Sequence, residues 1–128
     1  MRRPMTSVEI PYSIAAALPS LVVLDITNDV RHAVERGGVA NGIAYVSAGG
    51  DGIVRVNERE TGLFDDLEQM LERLVPESDE RARLLALLLG QRTEQVPFAS
   101  GRLCLGQWQR ILLLAFADDP EWKLTLVG

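Results

Sequence analysis

The sequence is poor in the residues that build disulfides, zinc sites and histidine-dependent catalytic sites. Its 128 residues include one cysteine, Cys104, and one histidine, His32. A lone cysteine excludes an intrachain disulfide, so a reducing compartment, the cytoplasm, is expected. A Ser-His-Asp or Cys-His arrangement within one chain would have to use His32. One imidazole and one thiol make a poor tetrahedral set for zinc, so no metal and no cofactor is predicted. The alternative is a threefold metal site to which each of three subunits contributes one ligand.

Long apolar runs and basic stretches are also absent. No run approaches the ~18–20 apolar residues of a membrane span, and the basic start has no apolar stretch behind it, so no secretory signal is expected. The chain has 13 Lys and Arg against 18 Asp and Glu, a net charge of −5. Nucleic-acid-binding proteins usually carry a basic stripe. Neither a nucleic acid nor a membrane is therefore an expected partner.

The composition is otherwise that of a globular domain, with 47% hydrophobic and 24% charged residues. One domain over residues 1–128 is expected from this length. Alternating or continuous apolar residues predict short strands. One strand is predicted within residues 8–14, and the others are predicted over residues 21–24, 42–46, 53–56, 93–98, 102–105, 109–117 and 123–127.

Helical spacing of apolar residues predicts two or three helices. The first covers residues 28–36, with Thr27 as N-cap and Gly37-Gly38 as a left-handed stop. A longer helix covers 63–75, and a third runs from a Ser78 cap to Leu89. Several strands follow one another without a helix between them, which favours antiparallel pairing. The predicted fold class is therefore α+β, with about seven or eight strands.

Candidate site residues lie where strands end. Asn57 and Glu58 close the strand before the long helix, and such junctions often present functional side chains. Many acids occupy the polar side of that helix, including Glu68 and Glu72, and the simplest interpretation is a solvated face. Residues 49–52, Gly-Gly-Asp-Gly, are interpreted as a connection between strands. The alternative is a backbone N–H cradle for an anion.

The two scarce residues allow two interpretations each. His32 lies off the apolar face of its short helix, so an exposed or interface histidine is favoured over a catalytic or ligating one. Cys104 is predicted to share a strand face with Arg102. A neighbouring arginine could make it a thiolate nucleophile, but a small strand residue is the favoured interpretation.

A set of ordered segments carries a family resemblance. The segments are Asp25-Ile26-Thr27, Gly42, Asn57-Glu58, Gly62-Leu63, Leu74-Val75-Pro76, Leu89-Gly90, Val96-Pro97 and the run Gly101-Arg102-Leu103-Cys104-Leu105-Gly106-Gln107-Trp108-Gln109-Arg110-Ile111. Over about residues 21–127 they resemble the YjbQ-like family, which is associated with secondary thiamine-phosphate synthase activity. The family pattern Gly-x-Leu-x-Leu-Gly-Thr-Trp-Gln is kept except for its Thr, which is Gln107 here.

The resemblance implies an antiparallel, jelly-roll-like β-sandwich with two or three helices packed against it. It also implies a homotrimer, in which strands complete their burial against neighbouring copies. We expect Trp108, in the most specific of the matching segments, to be mostly buried.

The residues that carry the family's chemistry are replaced. The family has a His-Thr-Thr-Ala motif where residues 48–53 contain no histidine. Its His-rich loop is shortened to residues 76–84, also without histidine. Its Glu and Asp-Gly-Pro-Arg segment is replaced by Ala115, Ala117 and Asp118-Asp119-Pro120. The family's histidines and carboxylate, which this chain lacks, are the groups that would bind a metal or move protons.

The resemblance and its gaps leave three functional hypotheses. The first is a non-catalytic, trimeric structural or interaction protein. The missing histidines favour this hypothesis over an enzyme, and they leave the question of enzymatic activity open. The second is an enzyme or binder with a rebuilt site for a small phosphorylated or anionic ligand. The third is a small-ligand sensor that uses the same pocket. The candidate catalytic residues are Glu58, Asn57 and Gln109. The candidate ligand-binding residues are Gly49, Gly50, Asp51, Arg55 and Gln107.

Overall fold

The computed structural model describes residues 14–18, 21–116 and 120–128. Over this part of the chain it has eight strands and three helices. The strands are β1 (Ile14–Leu18), β2 (Leu21–Asp25), β3 (Gly42–Ala48), β4 (Ile53–Glu58), β5 (Thr93–Ala99), β6 (Arg102–Leu103), β7 (Gln109–Ala115) and β8 (Trp122–Val127). The helices are α1 (Thr27–Arg36), α2 (Thr61–Leu74) and α3 (Arg81–Leu89).

The strands form two four-stranded sheets in which every neighbouring pair is antiparallel. One sheet, sheet A, has the order β1-β2-β7-β4, and the other, sheet B, has the order β6-β5-β3-β8. The chain passes between the sheets at the turn from β3 to β4. The predicted α+β class and antiparallel sandwich are confirmed.

The main core lies between the two sheets. Sheet A contributes alternate residues such as Val54 and Leu113, and sheet B contributes Val46 and Phe98. This follows the two-residue period of a strand, which sends every second side chain to the same face. Helix α1 closes one side of the core with Val30, which is fully buried.

A second apolar cluster covers the other face of sheet A. There Val23 and Leu112 pack against Phe64 of α2. Sheet A is therefore buried on both faces, which accounts for the five buried residues in a row from Ile111 to Ala115. Residues Leu63, Met70 and Leu74 of α2, which share its predicted apolar face, are instead 44–58% exposed.

Helix ends differ from the predictions at several places. Helix α2 covers Thr61–Leu74 rather than 63–75. Helix α1 begins at Thr27 itself, after Ile26, because the Thr27 hydroxyl is engaged elsewhere. Helix α3 begins after Glu80, and Ser78 contributes its carbonyl to the Arg81 N–H rather than a side-chain cap. The left-handed stop after α1 is confirmed at Gly38, whose φ is 70°.

Several other expectations are corrected by burial and pairing. Strand β6 ends at Leu103, so Cys104 lies just beyond it, exposed, with its N–H donating to the Pro97 carbonyl at 2.8 Å. Glu68 is only 7% exposed and does not belong to a solvated face. Trp108 lies in a turn and is 67% exposed, so its predicted burial is wrong for the chain alone. The strand predicted within residues 8–14 lies outside the described residues, apart from Ile14.

An apolar surface is left exposed at the end of α2 and along α3. We call it the leucine surface, and it consists of Leu74, Leu84, Leu87 and Leu88, which are 44–81% exposed. Helix α3 is apolar from Leu84 to Leu89, whereas its first turn carries Arg81 and Arg83, and within it Arg81 and Leu85 are buried. Among the described residues, no helix combines the length and the apolar character that a bilayer span requires.

Burial predicts opposite results for two large side chains. Leu113→Ala is expected to lower the free energy of unfolding by about 2–5 kcal/mol, because it leaves a cavity between the sheets. Trp108→Ala is expected to change it by about 0.5 kcal/mol or less under conditions where the protein is monomeric. Urea titration of both variants checks this, and a comparable loss in the two would contradict the assigned burial.

Candidate functional site

A buried carboxylate organises one end of sheet A. Asp25 is the last residue of β2, and its side chain is 2% exposed. Its Oδ1 accepts hydrogen bonds from the Thr27 N–H at 3.1 Å and the Thr27 hydroxyl at 2.6 Å. Its Oδ2 accepts from Arg110 Nε at 2.9 Å and from Arg59 Nη1 at 3.3 Å. One side chain thus binds α1, β7 and the residue that follows β4.

The Thr27 hydroxyl extends this network to the backbone of the central strand. It accepts the Ile111 N–H at 2.8 Å while it donates to Asp25. The Ile26 N–H donates to the Ile111 carbonyl at 3.0 Å in the same place. The strand-to-helix corner after β2 is therefore bonded to β7 through both backbone and side chain.

The pKa of Asp25 lies below its ordinary value of 3.8. Burial is the largest single influence and raises the pKa, because it disfavours the charged form. The hydrogen bonds from Thr27 and Arg110, together with the positive charge of Arg110, lower it further than burial raises it. Asp25 therefore stays ionised at neutral pH, and it is a poor proton donor.

Three of the predicted site residues lie at this same end. Asn57 is the cross-strand partner of Arg110, and Glu58 is the partner of Gln109. Asn57, Glu58 and Gln109 are exposed, whereas Arg110 is half-buried. The Asn57 Oδ1 accepts the Glu58 N–H at 2.8 Å, and the Gln109 Oε1 accepts the Gly106 N–H at 2.7 Å. These amide side chains shape the strand end and the turn that contains Gln107.

The glycine-rich candidates lie at the opposite end of β4. Gly49, Gly50 and Asp51 precede Ile53, and five residue steps along the strand separate Ile53 from Glu58, about 16 Å. The Gly49 N–H donates to the Glu121 carbonyl at 2.8 Å, and the Gly52 N–H donates to the Gly49 carbonyl at 3.2 Å. The turn is thus a strand connection, as predicted, and its candidates do not meet Asn57, Glu58 or Gln109.

Arg55 lies between the two groups and holds a helix end. Its Nη1 donates to Gln91 Oε1 at 2.9 Å, and its Nη2 donates to the Leu89 carbonyl at 2.6 Å. Both contacts anchor the end of α3 to β4. This side chain therefore has a structural role that the sequence pattern did not indicate.

The two scarce residues are both exposed. His32 is exposed on α1, in agreement with the favoured interpretation. Cys104 is exposed in the segment after β6. Within residues 14–18, 21–116 and 120–128, no three His, Cys, Asp or Glu side chains are grouped so that they could hold a metal ion.

The centre of this polar end was not among the predicted site residues. Asp25, Arg59 and Arg110 are distant in sequence, and their convergence follows from the pairing of β2 and β4 with β7. The sequence signal that could have revealed this site was Asp25-Ile26-Thr27, which places an acid and a hydroxyl at the end of an apolar strand. Chemically, these residues hold the ionised Asp25 carboxylate in place, because four hydrogen-bond donors contact it.

Comparisons with known proteins identify what the chain is similar to. A family model described as UPF0047 protein YjbQ-like matches residues 17–127. A UPF0047 protein from Archaeoglobus fulgidus is 38% identical over 116 residues, covering 82% of this chain and 88% of the relative. One from Methanothermobacter thermautotrophicus is 35% identical over 110 residues, covering 77% and 76%.

Solved structures share the fold. A crystal structure of a protein from C. acetobutylicum superposes with a TM-score of 0.77 at 26% identity, covering 88% of this chain and 93% of that one. A hypothetical protein from Aeropyrum pernix K1 superposes with a TM-score of 0.74 at 27% identity, covering 88% and 92%.

The buried carboxylate predicts a pH-dependent loss of stability. Asp25→Asn is expected to lower the free energy of unfolding at pH 7 by about 2–4 kcal/mol, because two arginines lose their counter-charge. The folded-state pKa is lowered, so this difference is full above pH 3.8 and shrinks as the pH falls through the folded-state value. Urea titrations of both proteins at several pH values measure it.

Asp29→Asn is the matched control, since Asp29 is exposed in the first turn of α1. It is expected to cost less than about 1 kcal/mol. Equal losses for the two variants, or a loss at Asp25 that does not change with pH, would contradict the assigned role.

Proposed function

Since the chain belongs to the YjbQ-like UPF0047 family, we propose that it is a non-catalytic member that assembles as a homotrimer. It acts by binding to itself and to other molecules, and it works in the cytoplasm, where its one thiol stays reduced. The leucine surface is the observation that carries this proposal. Four exposed leucines side by side are typical of an interaction site rather than of a free surface.

The absence of chemistry is supported by how the candidate groups are distributed. The segments that correspond to the family's histidine motifs contain no histidine, and Asp51 and Glu58 lie at opposite ends of β4. Asp25 is ionised and fully bonded. General acid–base catalysis needs a group whose pKa lies near the working pH and which reaches a reacting atom. Asp25 does not meet the first condition.

A second candidate function is the binding of a small phosphorylated or anionic ligand, related to thiamine-phosphate synthase-like activity. The observation in its favour is Arg110, whose side chain is 29% exposed beside the exposed Asn57 and Gln109. A guanidinium presents several donors that suit phosphate and carboxylate oxygens. In this version the polar end of sheet A would hold the ligand without transforming it.

Self-association is tested by changing the leucine surface. The wild-type protein is expected to have the mass of a trimer by light scattering after size exclusion. Leu87→Glu with Leu88→Glu is expected to be monomeric, because charges would have to be buried in the contact. Leu63→Glu is the control, since Leu63 is equally apolar and 44% exposed but lies at the other end of α2. A wild-type monomer would overturn the proposal.

The non-catalytic proposal is tested by metal and anion binding. Purified protein is expected to contain no stoichiometric metal, and calorimetric titration with zinc is expected to give no binding heat. Stoichiometric zinc binding would instead support a rebuilt site. Titration with inorganic phosphate separates the second candidate, because binding that Arg110→Gln abolishes would favour it.

A further inference from the structure

Strand β8 forms a free edge of sheet B. Its six residues pair with β3 in one continuous register, from Trp122 opposite Ala48 to Val127 opposite Ile43, without a bulge. Among the described strands, none pairs with its other side. The edge of a sheet presents unpaired N–H and C=O groups, and these can form hydrogen bonds with a strand from another chain.

The other three edge strands are protected, as the edges of natural sheets usually are. Strand β6 has only two residues, and the pairing of β1 with β2 has a register shift between Ile14 and Ala16. On β4, the Val54 N–H donates to the Gln91 carbonyl at 3.2 Å, and Gln91 Nε2 donates to the Val54 carbonyl at 3.2 Å. Strand β8 differs from all three, because it is long and regular and carries a single charge, Lys123.

Hydrogen bonds beside the turn from β3 to β4 show which backbone groups of β8 are free. The Gly49 N–H donates to the carbonyl of Glu121, which precedes β8, and the Ala48 N–H donates to the carbonyl of Arg92, which precedes β5. Successive residues of an antiparallel strand direct their backbone groups to opposite sides. In β3, therefore, the odd-numbered residues bond to β8 and the even-numbered residues bond to β5.

The free backbone groups of β8 belong to its three core-facing residues. The partners of the odd-numbered β3 residues are Lys123, Thr125 and Val127. The N–H and C=O groups that point away from β3 are therefore those of Trp122, Leu124 and Leu126. The side chains of these same three residues pack against the main core but remain half-buried. Free hydrogen-bonding groups and incompletely covered apolar side chains thus occur together at this edge.

We propose that β8 of a second copy of this chain pairs with β8 in antiparallel fashion, centred on Leu124. In this register Leu124 lies opposite the same residue of the second copy, and Trp122 lies opposite Leu126. Each such pair can exchange two hydrogen bonds, so about six form in all. The half-buried side chains of the two copies then lie side by side and cover one another. A contact of a surface with itself joins two copies by two-fold symmetry.

The outer face of the strand also suits a second copy as the occupant. In the same register Lys123 lies opposite Thr125, so the two lysines are diagonal neighbours and not directly opposite each other. Like charges destabilise an antiparallel pair when they are directly opposite. The strand therefore meets itself without a charge conflict, and its free backbone groups match those of the second copy one for one.

This contact goes beyond the proposed trimer, because it involves neither the leucine surface nor α3. A pair of six-residue strands is a small contact, below the roughly 1,200 Å² of a standard interface, so we expect a dissociation constant of about 0.1–1 mM. At the dilution of a size-exclusion experiment the paired strands are dissociated. That experiment therefore reports on the leucine surface alone.

One exposed side chain tests the register. The background is the Leu87→Glu, Leu88→Glu protein at full length, from which the leucine-surface contact has been removed. Thr125→Lys is expected to weaken the dimer about threefold or more, because it places a lysine directly opposite Lys123 in the second copy. Thr125→Glu is expected to tighten the dimer by a similar factor. Sedimentation equilibrium at concentrations on both sides of the expected dissociation constant measures both changes.

Gln95→Lys and Gln95→Glu are the matched controls. Gln95 is exposed and pairs with Tyr45, which also pairs with Thr125. The controls therefore introduce the same charges in the same row of sheet B, but on β5, away from the free edge. They are expected to leave dimerisation unchanged. Equal effects at the two positions would mean that net charge alone decides, and the proposed register would be wrong.

Amide hydrogen exchange followed by NMR tests the backbone pairing itself. The amides of residues 122, 124 and 126 are expected to exchange several-fold more slowly in concentrated than in dilute solution. Those of residues 123, 125 and 127 are expected to keep one rate, because they bond to β3 at every concentration. This alternating pattern is specific to pairing at the free edge of β8.

The remaining outcomes separate this contact from the proposed function. A background protein that stays monomeric at every concentration overturns the edge contact. Dimerisation without the alternating amide pattern assigns the dimer to another surface and overturns it as well. Neither result affects the trimer, which is judged by the mass of the wild-type protein in dilute solution. A wild-type monomer there overturns the trimer and leaves the edge contact standing.

Discussion

The architecture depends on one buried carboxylate at the end of β2. Asp25 lies where an apolar strand must turn into a helix that closes the core. Its four donors come from the helix, from the central strand and from the residue after β4. The Asp25 carboxylate holds Arg59 and Arg110 in this position, and the two arginines offset the cost of burying its negative charge. Neither half of the arrangement would be stable without the other.

This corner also determines where the rest of sheet A lies. Thr27 fixes α1 against Ile111, and Arg59 donates to the Ile14 carbonyl at 3.0 Å, which brings in β1. The apolar faces of β2 and β7 then have two layers to pack against. The long run of buried residues in β7 is a consequence of this central position rather than of hydrophobicity alone.

Much of the fold could be predicted from local sequence patterns. The errors arose where residues distant in the sequence determine the burial of a side chain. The stretch from Gly42 to Val46 was recognisable from the sequence as a buried strand, and β3 covers it and continues to Ala48. Glu68 and Trp108 were misjudged because burial depends on what packs against a position, which helical spacing or a motif cannot tell. The candidate site was only half predictable. Asn57, Glu58 and Gln109 do meet, since strand ends cluster, whereas the glycine turn is separated from them by the length of β4.

The turn from β3 to β4 has a consequence for how this chain can change. Gly52 is buried where the sheets join, and a Cβ there would lie 3.3 Å from both Ala48 Cβ and the Leu114 carbonyl oxygen. Those two atoms belong to different sheets. A larger residue at this position would have to spread the sandwich, and a close-packed interior resists such strain. A bulky side chain could therefore be accommodated at this corner only together with compensating changes in both sheets.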